Sequence, residues 1–256
     1  MKKIKLIRLT ALLAFFIGTT GFAQNNPDKK EVKSFALLEL FTSEGCSSCP
    51  PADELMGKIQ SEYKDNNLYV LAYHVDYWDK QGWKDIFSNP DYTQRQYEYA
   101  KFLGKEPIYT PQVIVNGKSE YIASQESVVR NAIKSALSKP AVADLKLEAS
   151  EINNSLSVKY AIEGASKNSR LLIAVVQKAA KSNVKRGENA HRILSHYQIV
   201  HHLHTVNLNK DRSGIAIVHL PKDFNTKDWE VIGFVQDRND GIILGANKAV
   251  FQEPSL

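Results

Sequence analysis

The chain contains only two cysteines, Cys46 and Cys49, and just two residues separate them. They follow an apolar segment, residues 35–41, that is typical of a buried strand. They precede residues 50–64, whose apolar side chains recur at helical spacing. A disulfide across so short a loop restricts the unfolded chain little, because the entropic benefit of a crosslink grows with loop length. The pair therefore indicates chemistry at a strand-to-helix junction, not a disulfide scaffold.

Strands and helices alternate on both sides of this junction. An Asn116-Gly117 pair predicts a tight hairpin turn between two of the strands. The order β-α-β-α-β-β-α favours an α/β layer in which helices flank a mixed sheet. The predicted strands are residues 35–41, 68–75, 111–116 and 119–123, and the predicted helices are residues 50–64, 90–103 and 125–137.

Beyond Lys139-Pro140-Ala141 the helical spacing ends and strand-like segments follow one another. Turn-rich segments separate them, which favours an all-β, sandwich-like arrangement. We therefore predict an α/β domain over residues 34–138 and a β-sandwich-like domain over residues 142–253. The predicted strands of the second part are residues 142–149, 155–162, 171–178, 193–208, 214–220, 229–236 and 243–251.

The amino terminus has the pattern of a cleaved secretory signal. Residues 1–8 carry four positive charges, a short apolar stretch follows, and small residues end at Ala23. The apolar stretch is shorter than the roughly 20 residues of a membrane-spanning helix. We predict a signal peptide over residues 1–23, a flexible tail over residues 24–33, and a periplasmic or extracellular location with no integral membrane segment after cleavage.

Charge gives no indication of a nucleic-acid partner. The net charge is +5, and four of the positive charges belong to the predicted signal peptide. The mature chain would carry about +1, too little for non-specific binding to polyanions.

The position of the cysteines favours redox chemistry. A cysteine at a helix N-terminus is stabilised as the thiolate by the helix dipole and by free backbone N–H groups. Cys46 would be the nucleophile and Cys49 would resolve the mixed disulfide. Two other interpretations stay open, a mainly structural disulfide and a metal site, although a zinc site needs about four ligands and no second CxxC is present.

The strand–CxxC–helix segment resembles the thioredoxin superfamily, and Thr110-Pro111 before residues 112–116 resembles its cis-proline loop. The resemblance implies a thioredoxin-like fold for residues 34–138. It implies that Pro111 packs against the redox pair and that Thr110 and Pro111 hold the substrate peptide. Glu39 lies near the position where related oxidoreductases bury an acid, so it is a candidate for proton transfer. No organic cofactor is implied.

Longer segments are similar to an exported bacterial family of thioredoxin-like proteins, domain of unknown function 1223. These segments are residues 40–53, residues 74–79 (His-Val-Asp-Tyr-Trp-Asp) and residues 185–190 (Lys-Arg-Gly-Glu-Asn-Ala). The chain departs from ordinary thioredoxins at Gly45, where Trp is usual, and at Ser47-Ser48, where Gly-Pro is common. These departures leave the reduction potential open.

Two further groups of side chains are candidates for the site. His74 follows a central strand at its carboxyl end, where it could stabilise the Cys46 thiolate or pass protons, or simply pack against the strand end. Tyr77 and Trp78 could line a peptide-binding groove or fill the core.

Residues 195–204 are rich in histidine. In a regular strand His196, His202 and His204 would share one face, because side chains alternate. Imidazoles on one face can bind zinc or copper. A solvated sheet face is the simpler interpretation, so these residues are weak candidates for a metal site.

Together these features predict an exported thiol–disulfide oxidoreductase. Its partners would be protein thiols or disulfides and a second redox protein. The alternative is a non-catalytic binding protein on a thioredoxin-like scaffold with a structural disulfide. Exposure of the Cys46 sulfur distinguishes the two, because a reactive thiol is partly accessible and a structural one is buried.

Overall fold

The computed structural model describes residues 32–208 and 212–252. The predicted signal peptide and nearly all of the predicted tail lie outside this range. Within it the chain forms three helices and twelve strands. The helices are α1 (Pro50–Glu62), α2 (Pro90–Leu103) and α3 (Glu126–Leu137); the strands are β1 (Ala36–Thr42), β2 (Leu68–His74), β3 (Gln112–Val115), β4 (Ser119–Ile122), β5 (Asp144–Ile152), β6 (Ser155–Glu163), β7 (Ser169–Asn183), β8 (Ile193–Asn207), β9 (Ser213–His219), β10 (Trp229–Asp237), β11 (Ile243–Lys248) and β12 (Val250–Phe251).

The first two helices begin at prolines, where the missing backbone N–H removes no helical hydrogen bond. Cys49 is the N-cap residue of α1, and two prolines fill the first positions of that helix. The Asn89 side chain caps α2 by accepting a hydrogen bond from the Asp91 backbone N–H. That helix ends at Gly104, whose left-handed backbone (φ 60°) suits glycine.

The hairpin between β3 and β4 turns at Asn116-Gly117, and both residues have positive φ angles (49° and 67°). These angles are the ones that a two-residue turn between twisted strands requires. The Asn116 side chain also accepts a hydrogen bond from the Leu37 backbone N–H at 2.7 Å. The turn thereby fastens the hairpin to β1.

The larger sheet has eight strands in the order β11-β10-β7-β8-β2-β1-β3-β4. Strand β2 is parallel to both β1 and β8, and the other neighbours are antiparallel. Strands from before and after residues 139–141 therefore belong to one sheet, joined by the pairing of Ala72 with Ile199.

The smaller sheet has four strands in the order β12-β5-β6-β9. It packs on the β7 and β10 part of the larger sheet and forms a sandwich there, with a core that includes Leu147, Val158, Ile173, Val231 and Trp229. The segment predicted as one strand over residues 243–251 is divided between the two sheets as β11 and β12. Buried Ala249 lies at the division.

The two faces of the larger sheet carry different layers around β1 and β2. On one face, Leu38 and Leu40 pack with α1 and α3. On the other face, Phe41 and Tyr73 share a core with residues of α2 and with Phe234 of β10.

The predicted mixed α/β character is confirmed. Among the described residues, no helix combines the length and apolar character needed to cross a membrane.

Candidate functional site

Cys46 and Cys49 form a disulfide bond between the end of β1 and the start of α1. The predicted disulfide is thus confirmed. Both cysteines are enclosed, since Cys46 is 1% exposed and Cys49 is 0% exposed. The two intervening serines, Ser47 and Ser48, are exposed. The two serines of the loop are therefore in contact with solvent, whereas the two cysteines are enclosed by the protein.

The connection between β7 and β8, residues 184–192, covers the cysteine loop, and we call it the cap loop. The buried Asn189 side chain donates hydrogen bonds to the backbone carbonyls of Glu44 and Cys46, both at 2.9 Å. Glu188 accepts a hydrogen bond from the Ser47 backbone N–H at 3.0 Å. Polar contacts therefore hold the cap loop over the disulfide.

Trp78 and the loop before β3 lie next to the residue that precedes Cys46. A Cβ atom added to Gly45 would lie 3.0 Å from the Trp78 Cβ, so a glycine fits there and a larger residue would displace Trp78. The Trp78 indole donates a hydrogen bond to the Thr110 hydroxyl at 2.8 Å. The Thr110–Pro111 peptide bond is cis. Trp78 therefore lies beside the cysteine loop and is hydrogen-bonded to Thr110, the residue before the cis proline.

Five polar side chains are buried beside this loop: Thr42, Asp53, His74, Asp85 and His196. Thr42 donates a hydrogen bond to Asp53 Oδ2 at 2.9 Å. His74 Nδ1 lies 2.6 Å from Asp85 Oδ2. The His74 and His196 rings are in edge contact, with centroids 5.0 Å apart. These residues come from β1, α1, β2, the segment before α2, and β8, so the cluster exists only in the folded chain.

Burial and mutual charge set the pKa values in this cluster. Burial raises the pKa of Asp53, and the neighbouring imidazoles only partly offset it. Burial alone would lower the pKa of His74, but the charge and hydrogen bond of Asp85, together with the charges of Asp53 and Glu44, outweigh burial and raise that pKa. Burial would raise the pKa of Asp85, yet the charge and hydrogen bond of His74 lower it. Asp85 is therefore the ionised partner of His74 at neutral pH.

Three atoms of the cluster have no hydrogen-bond partner among the described residues: Asp53 Oδ1, His74 Nε2 and His196 Nδ1. The three residues also each place one potential ligand atom within 4.8 Å of those of the other two. Each is of a type that can bind a metal ion. The cluster is therefore the part of the site whose residues could hold a metal.

The other predicted site residues lie elsewhere. Glu39 lies on the face of β1 opposite α1, where Arg95 Nε donates to it at 2.7 Å and Tyr99 also donates to it. Tyr77 donates a hydrogen bond to Gln96 at 3.3 Å, and burial raises the pKa of Tyr77 to about 12. Neither side chain contacts the cysteines directly, and their proposed roles stay predictions.

The histidine-rich strand is divided between two environments. His196 belongs to the buried cluster, whereas His202 and His204 form a half-buried pair with ring centroids 6.3 Å apart. Among the described residues the three histidines do not form a common ligand group. Of the three metal candidates on this strand, only His196 belongs to a close group of three potential ligands within the described part of the chain.

Sequence reasoning missed Asp53, Asp85 and Asn189. Asp53 lies one helical turn after Cys49, and its backbone N–H donates to the Cys49 carbonyl, so its spacing was an available signal. Asn189 lies in the Lys-Arg-Gly-Glu-Asn-Ala segment already identified by resemblance. No sequence pattern points to Asp85, because its pairing with His74 is visible only in the folded structure.

The sequence profile described as "Protein of unknown function (DUF1223)" matches residues 37–236. A crystal structure of an Agrobacterium tumefaciens protein, determined by a structural genomics consortium, is similar to this chain with 25% sequence identity and a TM-score of 0.65. The similarity covers 89% of this chain and 98% of that one.

A domain of the outer membrane lipoprotein Omp28 from Porphyromonas gingivalis is more distant. It has 9% identity and a TM-score of 0.28, over 44% of this chain and 92% of that one. No curated protein matches the chain at a significant level. Because the family profile spans most of its length, the chain belongs to the DUF1223 family of proteins of unknown function.

Proposed function

We propose that the protein is an exported thiol–disulfide oxidoreductase with a thioredoxin-like domain over residues 34–138. The observation that carries this proposal is the position of the Cys46–Cys49 disulfide at the N-terminus of α1, at the carboxyl end of a central parallel strand. A helix N-terminus stabilises a thiolate, and so small a loop adds little stability as a crosslink. Trp78, which lies beside the loop, would contact the substrate together with Thr110 and Pro111.

The reaction balances without a cofactor. In the reducing direction the Cys46 thiolate attacks a substrate disulfide, forms a mixed disulfide and releases one substrate thiolate. The Cys49 thiolate then attacks the Cys46 sulfur and releases the second substrate thiolate. Two electrons pass to the substrate and the protein is left with its disulfide, which a dithiol redox partner reduces again. The same steps in reverse oxidise a substrate dithiol.

Exchange requires that the cap loop move, because the Cys46 sulfur is enclosed. Residues 185–188 of that loop are exposed, whereas Val184 and Asn189 are buried. Asn189 donates two hydrogen bonds to the cysteine loop and Glu188 accepts a third, each worth about 1 kcal/mol. Breaking these bonds would cost a few kcal/mol, which is within the range of local opening in proteins.

The same enclosure supports a second candidate function, a binding protein with a permanent structural disulfide. Buried cysteines are inert when no motion exposes them. The two candidates differ in one measurable property, which is how readily the disulfide is reduced in the folded protein.

The test is the reduction potential and the reduction rate of the purified protein in glutathione buffers. An exchange-competent pair has a potential above roughly −250 mV, and a structural disulfide lies well below about −300 mV. In the Asn189→Ala variant we expect reduction about tenfold faster or more, because two hydrogen bonds of the closed cap loop are lost.

Asn183→Ala is the matched control, since Asn183 is an exposed residue at the end of β7 and should leave the rate unchanged. A potential below the lower limit, with equal rates in both variants and no reduction of insulin, would favour the binding protein.

A further inference from the structure

We propose that Asp53, His74 and His196 bind one divalent first-row transition-metal cation, and we take Zn²⁺ as the reference ion. The ligand atoms would be Asp53 Oδ1, His74 Nε2 and His196 Nδ1. Each of the three residues has one potential ligand atom within 4.8 Å of those of the other two. All three residues are at least nine-tenths buried, with exposures of 3%, 0% and 2%.

All three ligand atoms lack a hydrogen-bond partner among the described residues. Buried polar atoms are nearly always bonded, and each one left unsatisfied costs about 1–3 kcal/mol. Three such atoms on three residues of one cluster are hard to explain as separate defects. A single bound cation would satisfy all three.

The opposite atom of each side chain is held by a second residue. Thr42 donates to Asp53 Oδ2 at 2.9 Å, Asp85 Oδ2 lies 2.6 Å from His74 Nδ1, and Ser182 Oγ lies 3.0 Å from His196 Nε2. Metal-binding histidines typically donate their second N–H to a carboxylate or another acceptor in this way. In the tautomer that donates Nδ1–H to Asp85, the His74 Nε2 lone pair is directed to the common centre.

The charge around the centre favours a cation. Asp53, Asp85 and Glu44 are buried carboxyl groups, and Glu44 Oε1 lies 3.6 Å from His196 Nε2. In the described part of the chain no lysine or arginine forms an ion pair with these three groups. Buried carboxylates are costly unless they are paired or bind a metal.

The ligand set selects the class of ion. Two imidazole nitrogens and one carboxylate oxygen suit Zn²⁺, Co²⁺, Ni²⁺ or Cu²⁺, whereas Ca²⁺ and Mg²⁺ require mostly oxygen ligands. Ligand atoms around a tetrahedral zinc lie roughly 3.4 Å apart, so atoms within 4.8 Å of one another would draw together by at most about 1.4 Å. Side-chain rotations would have to supply this change. Water would fill the remaining position, as in other zinc sites with three protein ligands.

The cation site is independent of the redox proposal, because the sulfur atoms are not among its ligands. Binding is therefore expected while the Cys46–Cys49 disulfide is intact. A protein that binds zinc but resists reduction would support this inference and contradict the proposed function. A protein that is readily reduced but binds no zinc would contradict this inference and support the proposed function.

The experiment is a zinc titration of the full mature chain, freed of metal with a chelator and with its disulfide intact. A chromophoric chelator competes for the ion and reports affinity and stoichiometry. We expect one Zn²⁺ per chain and an affinity at least about 100-fold weaker in His196→Gln. The matched control is His202→Gln, a histidine of the same strand outside the cluster, which should bind as the parent does.

Two further measurements cover the case in which His196→Gln fails to fold. Asp85→Asn leaves all three ligand residues in place, removes the carboxylate that orients His74, and should weaken binding about 10–100-fold. Co²⁺ added to the parent protein should give the visible absorption of a four- or five-coordinate site with nitrogen ligands. The proposal is overturned if the parent binds no zinc more tightly than about 100 μM. It is equally overturned if His202→Gln loses as much affinity as His196→Gln.

Discussion

At the scale of single residues, Glu39 and Arg95 form an ion pair that is closed off from water. Arg95 Nε donates to Glu39 Oε1 at 2.7 Å, and both side chains are at most 5% exposed. The guanidinium also lies over the rings of Tyr99 and Phe234, at 5.1 and 5.3 Å from their centroids. The pair joins β1 to α2 in the middle of the fold.

We predict that Glu39→Gln lowers the free energy of unfolding by about 3–5 kcal/mol, because it leaves the Arg95 charge buried without a partner. Urea denaturation followed by circular dichroism measures the change. Glu98→Gln is the matched control, since Glu98 pairs with Arg170 near the surface and should cost far less. Equal losses in the two variants would show that burial of the pair does not matter.

The location of Glu39 also shows what residue-level prediction could achieve. Side chains alternate along a strand, so Glu39 and Thr42 of β1 had to face opposite sides of the sheet. Thr42 faces α1 and contacts Asp53, which therefore occupies the side of the cysteines. The spacing of Asp53 from Cys49 made this carboxylate predictable. His196 was not, because no local pattern links it to His74.

At the scale of elements, β8 departs from a regular strand. His201 is left without a partner in the pairing with β7, and its ring contacts that of Trp229 in a tilted arrangement, with centroids 4.6 Å apart. Gln198 has a positive φ angle of 56°. The prediction that His196, His202 and His204 share one face assumed regular alternation, which these two irregularities interrupt.

We predict that the half-buried histidines of β8 make the protein less stable at mildly acidic pH. Burial lowers the pKa of His201, His202 and His204 below the usual value. Between that usual value, about 6.5, and the lower pKa values in the fold, the unfolded chain binds more protons, so stability falls as the pH falls.

The measurement is urea denaturation of the parent and of a His202→Gln, His204→Gln double variant from pH 7.5 to 5.5. The variant should lose less stability over this range, because two of the groups that protonate on unfolding are absent. If the variant loses as much stability as the parent between pH 7.5 and 5.5, groups other than His202 and His204 cause the pH dependence.

Most elements could be predicted because their signals are local. Pro90 and Gly104 mark the two ends of α2, and Asn116-Gly117 marks the hairpin. The pairing of β2 with β8 could not be predicted, because it depends on contacts between residues far apart in the sequence. The cap loop and His196 reach the site through the same pairing. Their place in the site could therefore not be predicted from the sequence either.

At the scale of the whole molecule, one core joins the two predicted domains. Phe41 and Tyr73 from the first part pack with Val176, Val200 and Phe234 from the second. All five are at most 1% exposed. Removing the second part would expose this face of the first sheet to water.

We therefore predict that residues 32–140 expressed alone do not fold cooperatively. The fragment should bind a hydrophobic dye, lack near-ultraviolet circular dichroism and show no sharp urea transition. The full chain should not bind the dye, and it should give a near-ultraviolet signal and a sharp urea transition. A fragment with a cooperative transition would instead support an independent domain over residues 34–138.

The cap loop can cover the cysteine pair only late in synthesis. Cys46 and Cys49 leave the ribosome well before Asn189, the residue that later closes over them. Until β7 and β8 join the sheet, the sulfur atoms have no cover, and any oxidant or reductant can reach them. Once the hairpin docks, Asn189 covers the pair, and any later exchange requires the cap loop to open. The ease of thiol–disulfide exchange should therefore differ between the folding chain and the folded protein.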